Sequence, residues 1–181
     1  TAAVTGANEK SLIRRGLKKH EDFESVLITQ NSHAGYYPGA VPLTIKVLYE
    51  VRTGKLLGAQ MIGKEGVDKR IDTLGVALRL GAGVEDLTEL ELAYAPPYSS
   101  AKDPVNMAGY VAENIRTGLV SIADWNEPEQ NPKAVILDVR EEAEVHAHAV
   151  PNSVWIPLGE LRDRLQELDK DQDYIVLCAM G

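Results

Sequence analysis

One alternation restricts this chain more than any other feature. Leu43, Ile45, Val47, Tyr49 and Val51 alternate with Thr44, Lys46, Leu48, Glu50 and Arg52, the period of a strand with one buried face. Arg52, Thr53, Gly54 and Lys55 follow as a tight turn, with Gly54 in the position that tolerates positive φ, and residues 56–63 return as the partner strand. The first half of the chain must therefore accommodate an antiparallel hairpin. Residues 23–30 read as another strand. Asn8 is a plausible N-cap for a short helix that ends at Gly16.

Two longer helices accompany the hairpin. Val67, Ile71, Leu74 and Leu78 fall at spacings of four, three and four, which predicts an amphipathic helix ending at Gly81. Asp103 as N-cap and Pro104 at the first helical position open a second, whose apolar stripe is Val105, Ala108, Ala112 and Ile115 and which stops before Gly118. The texture then changes. Residues 123–134 are polar with two prolines, as in a linker. "AVILDV" and "YIVLC" beyond it are short, continuous apolar runs, the pattern of strands covered on both faces, and Leu158, Leu161, Leu165 and Leu168 predict a helix between them. The expected fold is an α+β unit, an antiparallel sheet with helices, followed by a truncated α/β unit. That second unit is short for a parallel sheet covered on both faces, so the chain is expected to be a fragment or to stop early.

Composition closes off several functions. A chain of 181 residues that is 44% hydrophobic can bury a real core, and its composition argues against disorder. The net charge of -8, without any Lys/Arg-rich tract, argues against nucleic acid as a partner. No apolar run approaches the roughly 20 residues of a membrane span, and the N-terminus lacks the layout of a signal peptide, so the expected location is cytoplasmic with no membrane partner. Cys178 is the single cysteine, which excludes a disulfide framework within the chain.

The chemistry-bearing candidates are few. "AYAPPYSS", residues 93–100, is a stiff, extended loop, because two consecutive prolines remove two donors and fix two φ angles. It carries two of the seven tyrosines, and each phenol is weighed between interface packing and a fixed hydrogen-bonding role. Cys178 directly follows an apolar strand, where loop N–H groups can converge on a thiolate; a buried thiol acting as a small apolar residue is the alternative, and the better reading of the residue in isolation. His146 and His148 read as surface residues, since no zinc-site spacing accompanies them and no metal is expected. "GKEG", residues 63–66, lacks the spacing of a phosphate loop and reads as a turn.

Asp138-Val139-Arg140, an acidic stretch, then Val150-Pro151-Asn152-Ser153 leading to Ile156-Pro157-Leu158 resembles the first half of a rhodanese domain. Cys178, Ala179, Met180 and Gly181 match the first four positions of that family's C-x-x-G-x-R loop; where the family usually has G-H-I-P, this chain has His148-Ala149-Val150-Pro151. The resemblance implies that Cys178 is a sulfur-accepting nucleophile, carrying sulfur as a persulfide.

"HAGYYPGA" (residues 33–40), "GKEGVDKRID" (63–72) and "AYAPPYSSAKDPVNMAGYVAENI" (93–115) together resemble the C-terminal dimerisation domain of flavin-dependent pyridine nucleotide-disulfide oxidoreductases, in the branch of coenzyme A-disulfide and coenzyme A persulfide reductases. The resemblance implies a dimerisation domain over residues 1–118, a linker over 119–133 and the incomplete rhodanese-like unit over 134–181. It also implies a homodimer in which this domain closes the partner subunit's active site. Tyr36 and Tyr94 are then the primary tyrosines beside the reacting sulfur, with Tyr37 and Tyr98 in reserve. Lys64, Lys69, Arg70 and Lys102 are candidate partners for coenzyme A phosphates, with plain solvated charge the alternative for each. The family uses FAD, NAD(P)H and coenzyme A. No G-x-G-x-x-G fingerprint occurs here, so the dinucleotide-binding domains are expected outside this chain, which alone should not oxidise NAD(P)H. The competing expectations are the C-terminal domain of an NADH oxidase or peroxidase, and a non-catalytic dimerisation and sulfur-carrier module.

Overall fold

The computed structural model describes residues 1–124 and 126–179. The chain divides into two compact units, Thr1–Ser121 and Ile122–Gly181, each with its own core.

In the first unit β1 (Ala2–Gly6), α1 (Glu9–Arg14), β2 (Phe23–Asn31), β3 (Pro42–Glu50), β4 (Leu56–Gly63), α2 (Val67–Leu80), α3 (Val84–Glu89) and α4 (Pro104–Arg116) follow in order. The four strands form one antiparallel sheet in the order β1-β4-β3-β2. Ile45 pairs with Met61 and Val47 with Ala59 across the hairpin. Gly54 has φ +73°, and its N–H donates to the Glu50 carbonyl at 2.8 Å. The strand stops at Glu50 rather than continuing to Arg52, because the Glu50 N–H already closes the turn on the Lys55 carbonyl at 2.9 Å.

Leu43, Ile45, Val47 and Tyr49 point into the main core, where they meet Val67 and Leu74 of α2 and Val105, Ala108 and Ala112 of α4. Each of those apolar residues is removed from water, at about 1.5–3 kcal/mol for a large aliphatic side chain. Leu48 breaks the expected two-sided pattern: it is fully buried on the opposite face against Leu12 and Phe23, which α1 and the start of β2 bring there. The caps read from sequence form. Asn8 accepts from the Ser11 N–H at 2.9 Å, and Asp103 accepts from the Val105 N–H at 2.9 Å. Strand β1 and helix α3 escape sequence reading because they are five and six residues long and take their stability from neighbours. Gly109 of α4 is one such neighbour: a Cβ there would lie 2.9 Å from Leu87 Cβ and 3.0 Å from the Val84 carbonyl of α3.

The second unit contains α5 (Glu127–Gln130), β5 (Val135–Asp138), α6 (Glu142–Ala147), β6 (Val154–Trp155), α7 (Leu158–Leu161), a 3-10 turn (Leu165–Glu167) and β7 (Tyr174–Leu177). Its three strands are parallel, in the order β6-β5-β7. The core is Leu137, Val139 and Ile156, with Leu161, Leu168, Tyr174 and Cys178 packed against it. The single helix expected through Leu158 to Leu168 is instead the one turn of α7 and the separate 3-10 turn. Leu161 and Leu168 reach the core while Leu158 and Leu165 are exposed, so no continuous apolar stripe is buried to hold a longer helix together.

Candidate active site

Two loops of the first unit carry the tyrosines. One leaves β2 at Asn31 and enters β3 at Pro42; its neck is closed by the Ser32 N–H on the Val41 carbonyl at 2.8 Å, and by the Val41 N–H on Ser32 Oγ at 3.2 Å. The other is the proline loop between α3 and α4. There the Tyr98 and Ser99 N–H groups donate to the Ala95 carbonyl at 2.8 and 3.0 Å, making a tight turn over Pro96 and Pro97. The Ala34 N–H donates to the Ser99 carbonyl at 3.2 Å and joins the loops.

At their tips the hydroxyls of Tyr36 and Tyr94 lie 3.1 Å apart, a hydrogen bond between residues 58 positions apart in sequence. Both rings are open to solvent, Tyr36 77% exposed and Tyr94 50%. The bond to Tyr94 holds the Tyr36 pKa above the ordinary phenol value, so Tyr36 keeps its proton through the neutral range. Each hydroxyl can donate one hydrogen; once one phenol donates to the other, the pair has one hydrogen left for a substrate atom. The reserve tyrosines are placed differently. Tyr37 packs edge-on against the buried His33 ring, centroids 5.7 Å apart, and Tyr98 extends into solvent, 70% exposed.

Beneath the loops lies a buried ion pair that sequence reasoning missed. Arg70 of α2 is 1% exposed, and its Nε donates to both carboxylate oxygens of Asp103 at 3.0 and 3.1 Å, with Nη2 at 2.9 Å. The same guanidinium donates to the carbonyls of Ser32 at 2.8 Å and Gly66 at 3.0 Å, and Ser99 Oγ donates to Asp103 at 2.6 Å. Among the described residues no buried side-chain polar atom lacks a partner. Asp103 as N-cap was the available signal, but nothing in local spacing links it to an arginine 33 positions earlier.

The expected phosphate-facing cations are therefore not one cluster. Arg70 is a correction: it is consumed internally and has no face to offer a ligand. Lys69 donates to the Tyr98 carbonyl at 2.6 Å; partial burial, then the Arg70 charge, lowers its pKa. The Lys102 ammonium sits 5.3 Å from the centre of the Tyr110 ring, and hydrogen bonding with Tyr110 raises its pKa. Lys64 stands exposed on the turn before α2.

Burial alone would raise the Asp103 pKa, but the bonds from Arg70, Ser99 and the Val105 N–H outweigh it and hold the carboxyl below its ordinary value. A depressed folded pKa contributes stability above the unfolded value, near pH 4, and loses it as pH falls through the folded value. Asp103→Asn is expected to cost about 3–5 kcal/mol at pH 7 by leaving Arg70 unpaired, and the gap from wild type should narrow below about pH 4. Urea titrations at pH 7 and pH 3 measure both; a gap independent of pH would remove the assignment.

In the second unit Cys178 follows β7 directly and is half-buried against the small core. The preceding Leu177 carbonyl accepts the Val139 N–H at 2.9 Å. Met180 and Gly181, the remainder of the expected sulfur loop, lie outside the described residues. Asp138 is fully buried and clasped by Arg140, which also donates to the His148 carbonyl at 2.8 Å. That clasp lowers the Asp138 pKa and braces the end of β5. His146 and His148 are exposed, and no metal-binding group of side chains occurs among the described residues. Nor does any described helix have the length and apolarity to cross a membrane.

The antiparallel sheet, with its helices and loop pair, defines a class. Residues 1–104 match the pyridine nucleotide-disulphide oxidoreductase dimerisation domain, and the chain belongs to that family; residues 121–181 match the rhodanese-like domain. The chain is 49% identical over 102 residues to the coenzyme A disulfide reductase of Staphylococcus epidermidis, covering 54% of this chain and 23% of that protein. Among solved structures it is similar to reduced Bacillus anthracis CoADR-RHD, at TM-score 0.92 and 46% identity, over 98% of this chain and 31% of that one. It is also similar to the NAD-dependent persulfide reductase of A. fulgidus, at TM-score 0.86 and 39% identity, over 99% of this chain and 32% of that one. The chain thus spans about a quarter to a third of the length of these relatives.

Proposed function

We propose that this chain is the C-terminal portion of an FAD- and NAD(P)H-dependent coenzyme A-disulfide or persulfide reductase with a fused rhodanese unit. Residues 1–118 act as the dimerisation domain, 119–133 as a linker and 134–181 as the sulfurtransferase unit. The observation that carries the reading is the pair of exposed phenols, 3.1 Å apart, on two loops pinned to each other. In a homodimer such a pair can close over the partner subunit's disulfide site. In the full enzyme FAD and NAD(P)H would supply the electrons; this chain carries no G-x-G-x-x-G fingerprint with which to hold them.

When a coenzyme A disulfide or persulfide is cleaved, the departing sulfur leaves as a thiolate. A thiol has an ordinary pKa near 8.5 and a phenol near 10, and the Tyr36 phenol is held higher still. Outright proton transfer from phenol to thiolate runs uphill. The pair therefore acts as a fixed hydrogen-bond donor to the leaving sulfur, with solvent completing the protonation. Lys64 and Lys102 are the exposed candidates that could meet a coenzyme A phosphate, and Lys69 orients the loop instead of the ligand. Cys178 takes up or hands on the sulfane sulfur. We place the reaction in the cytoplasm, where thiols are kept reduced.

The test is turnover of the complete, FAD-loaded enzyme with NAD(P)H and either coenzyme A disulfide or coenzyme A persulfide. Release of coenzyme A thiol is the expected result. No release from either acceptor would end the proposal.

A further inference from the structure

The buried Arg70–Asp103 pair is expensive. Two charges are taken out of water at a cost that their mutual attraction only roughly offsets, so a well-packed apolar pair often serves stability as well. Its geometry has a more specific consequence. One guanidinium holds the turn before α2 through the Gly66 carbonyl, and the base of the Tyr36 loop through the Ser32 carbonyl. Through Asp103 it holds Ser99, in the proline loop that carries Tyr94, and the first turn of α4. From Ser99 the Ala34 N–H bond runs back to the first loop. The two loops thus share one rigid base at the residues flanking their tyrosines, while the tips themselves are open to solvent. Exposed loops without such an anchor sample many conformations, and fixing their residues carries an entropic cost that the shared base offsets.

We infer that Arg70 and Asp103 are positioning residues, which fix the spacing of the two tyrosine loops and so bring the Tyr36 and Tyr94 hydroxyls within hydrogen-bond reach. This rests on the reading of that phenol pair as the donor to the reacting sulfur. Neither Arg70 nor Asp103 touches a ligand. Arg70→Lys keeps the charge, but its three donors diverge from one nitrogen, whereas Arg70 reaches Asp103, the Gly66 carbonyl and the Ser32 carbonyl from the separate nitrogens of a planar fork.

In the complete enzyme, Arg70→Lys is expected to lower kcat for disulfide or persulfide reduction about 10- to 100-fold, the scale of a misplacement near 1 Å, with the rate of flavin reduction by NAD(P)H unchanged. Because the residue acts through the phenols, the same substitution in a Tyr36→Phe/Tyr94→Phe background should cause no further loss. An equal loss in both backgrounds, or no loss in either, overturns the inference. A second measurement is independent of activity: tyrosine ring carbon NMR, with the Tyr36 signal assigned by Tyr36→Phe. In wild type Tyr36 should ionise above the ordinary phenol range, and both Arg70→Lys and Tyr94→Phe should bring it down toward that range; a Tyr36 titration unmoved by Arg70→Lys overturns the inference. Ser99→Ala, which removes one hydroxyl and leaves the ion pair, carries both measurements if Arg70→Lys does not fold; its expected effect is several-fold in kcat, and no effect in either measurement overturns the inference. An enzyme that reduces no coenzyme A disulfide or persulfide defeats the proposed function, while the NMR titration still decides the positioning role.

Discussion

Phenylalanine at both position 36 and position 94 is expected to slow disulfide or persulfide reduction by the complete enzyme about 100- to 1,000-fold, the usual cost of losing a fixed donor at a developing anion. Flavin reduction by NAD(P)H should be untouched, because the proposed place of the phenols is beside the acceptor and not the nicotinamide. The pair should also behave as one unit. Its two hydroxyls hydrogen-bond to each other at 3.1 Å and leave a single hydrogen for substrate, so removing either one disturbs both. Tyr36→Phe and Tyr94→Phe singly should therefore each cause most of the loss, with strong non-additivity in the double variant. Tyr98→Phe and Tyr37→Phe are the controls: Tyr98 is held through its backbone carbonyl by Lys69, and Tyr37 packs on His33, so neither hydroxyl is committed to the pair. Stopped-flow measurement of the two half-reactions separates the cases. Unchanged acceptor reduction in the double variant would remove the donor role altogether.

The parts of this fold that could be read in advance were those specified by local pattern. Alternation between Leu43 and Glu50, the four-three-four spacing from Val67, and the Asp103-Pro104 cap each depend on contacts within one element or across one turn, and each formed. Strand β1 could not be read, because Ala2 to Gly6 has little apolar signal of its own and is a strand through its pairing with β4. The break in the predicted Leu158–Leu168 helix has the reverse cause: the leucine spacing was present, but the small second core buries only Leu161 and Leu168.

At the candidate site the tyrosine-bearing loops were legible and the geometry of their hydroxyls was not. Proline stiffness pointed to the loop, yet only the fold puts the Tyr94 hydroxyl, before the turn over Pro96 and Pro97, within hydrogen-bond reach of Tyr36. Arg70 shows the opposite failure. In sequence it is one of several cations near a turn; in three dimensions it is the one that is fully buried, since its partner is supplied by a distant helix cap.

Cys178 carries the other large effect. Treated with thiosulfate, the complete protein is expected to gain one sulfur atom at Cys178: the thiolate attacks the sulfane sulfur, an S–S bond forms to the cysteine, and sulfite departs with the electron pair of the broken bond. With coenzyme A persulfide as donor the same attack leaves coenzyme A thiol. Cys178→Ser should abolish uptake, since an alcohol near neutral pH offers almost no anion to attack with. It should leave NAD(P)H-dependent reduction of coenzyme A disulfide intact, because the proposed function gives that step to the tyrosine pair and the partner subunit's site and not to Cys178. The position fits the task. A thiol at the C-terminal end of a parallel strand sits where the chain turns away from the sheet, and half-burial against Leu137, Val139 and Ile156 steadies it without sealing it off. Mass spectrometry of the intact protein before and after reductant reads the adduct directly. If sulfur appears and is lost on reduction in wild type but also in Cys178→Ser, the carrier lies elsewhere, and the rhodanese unit would then serve the enzyme by some role other than covalent sulfur transfer.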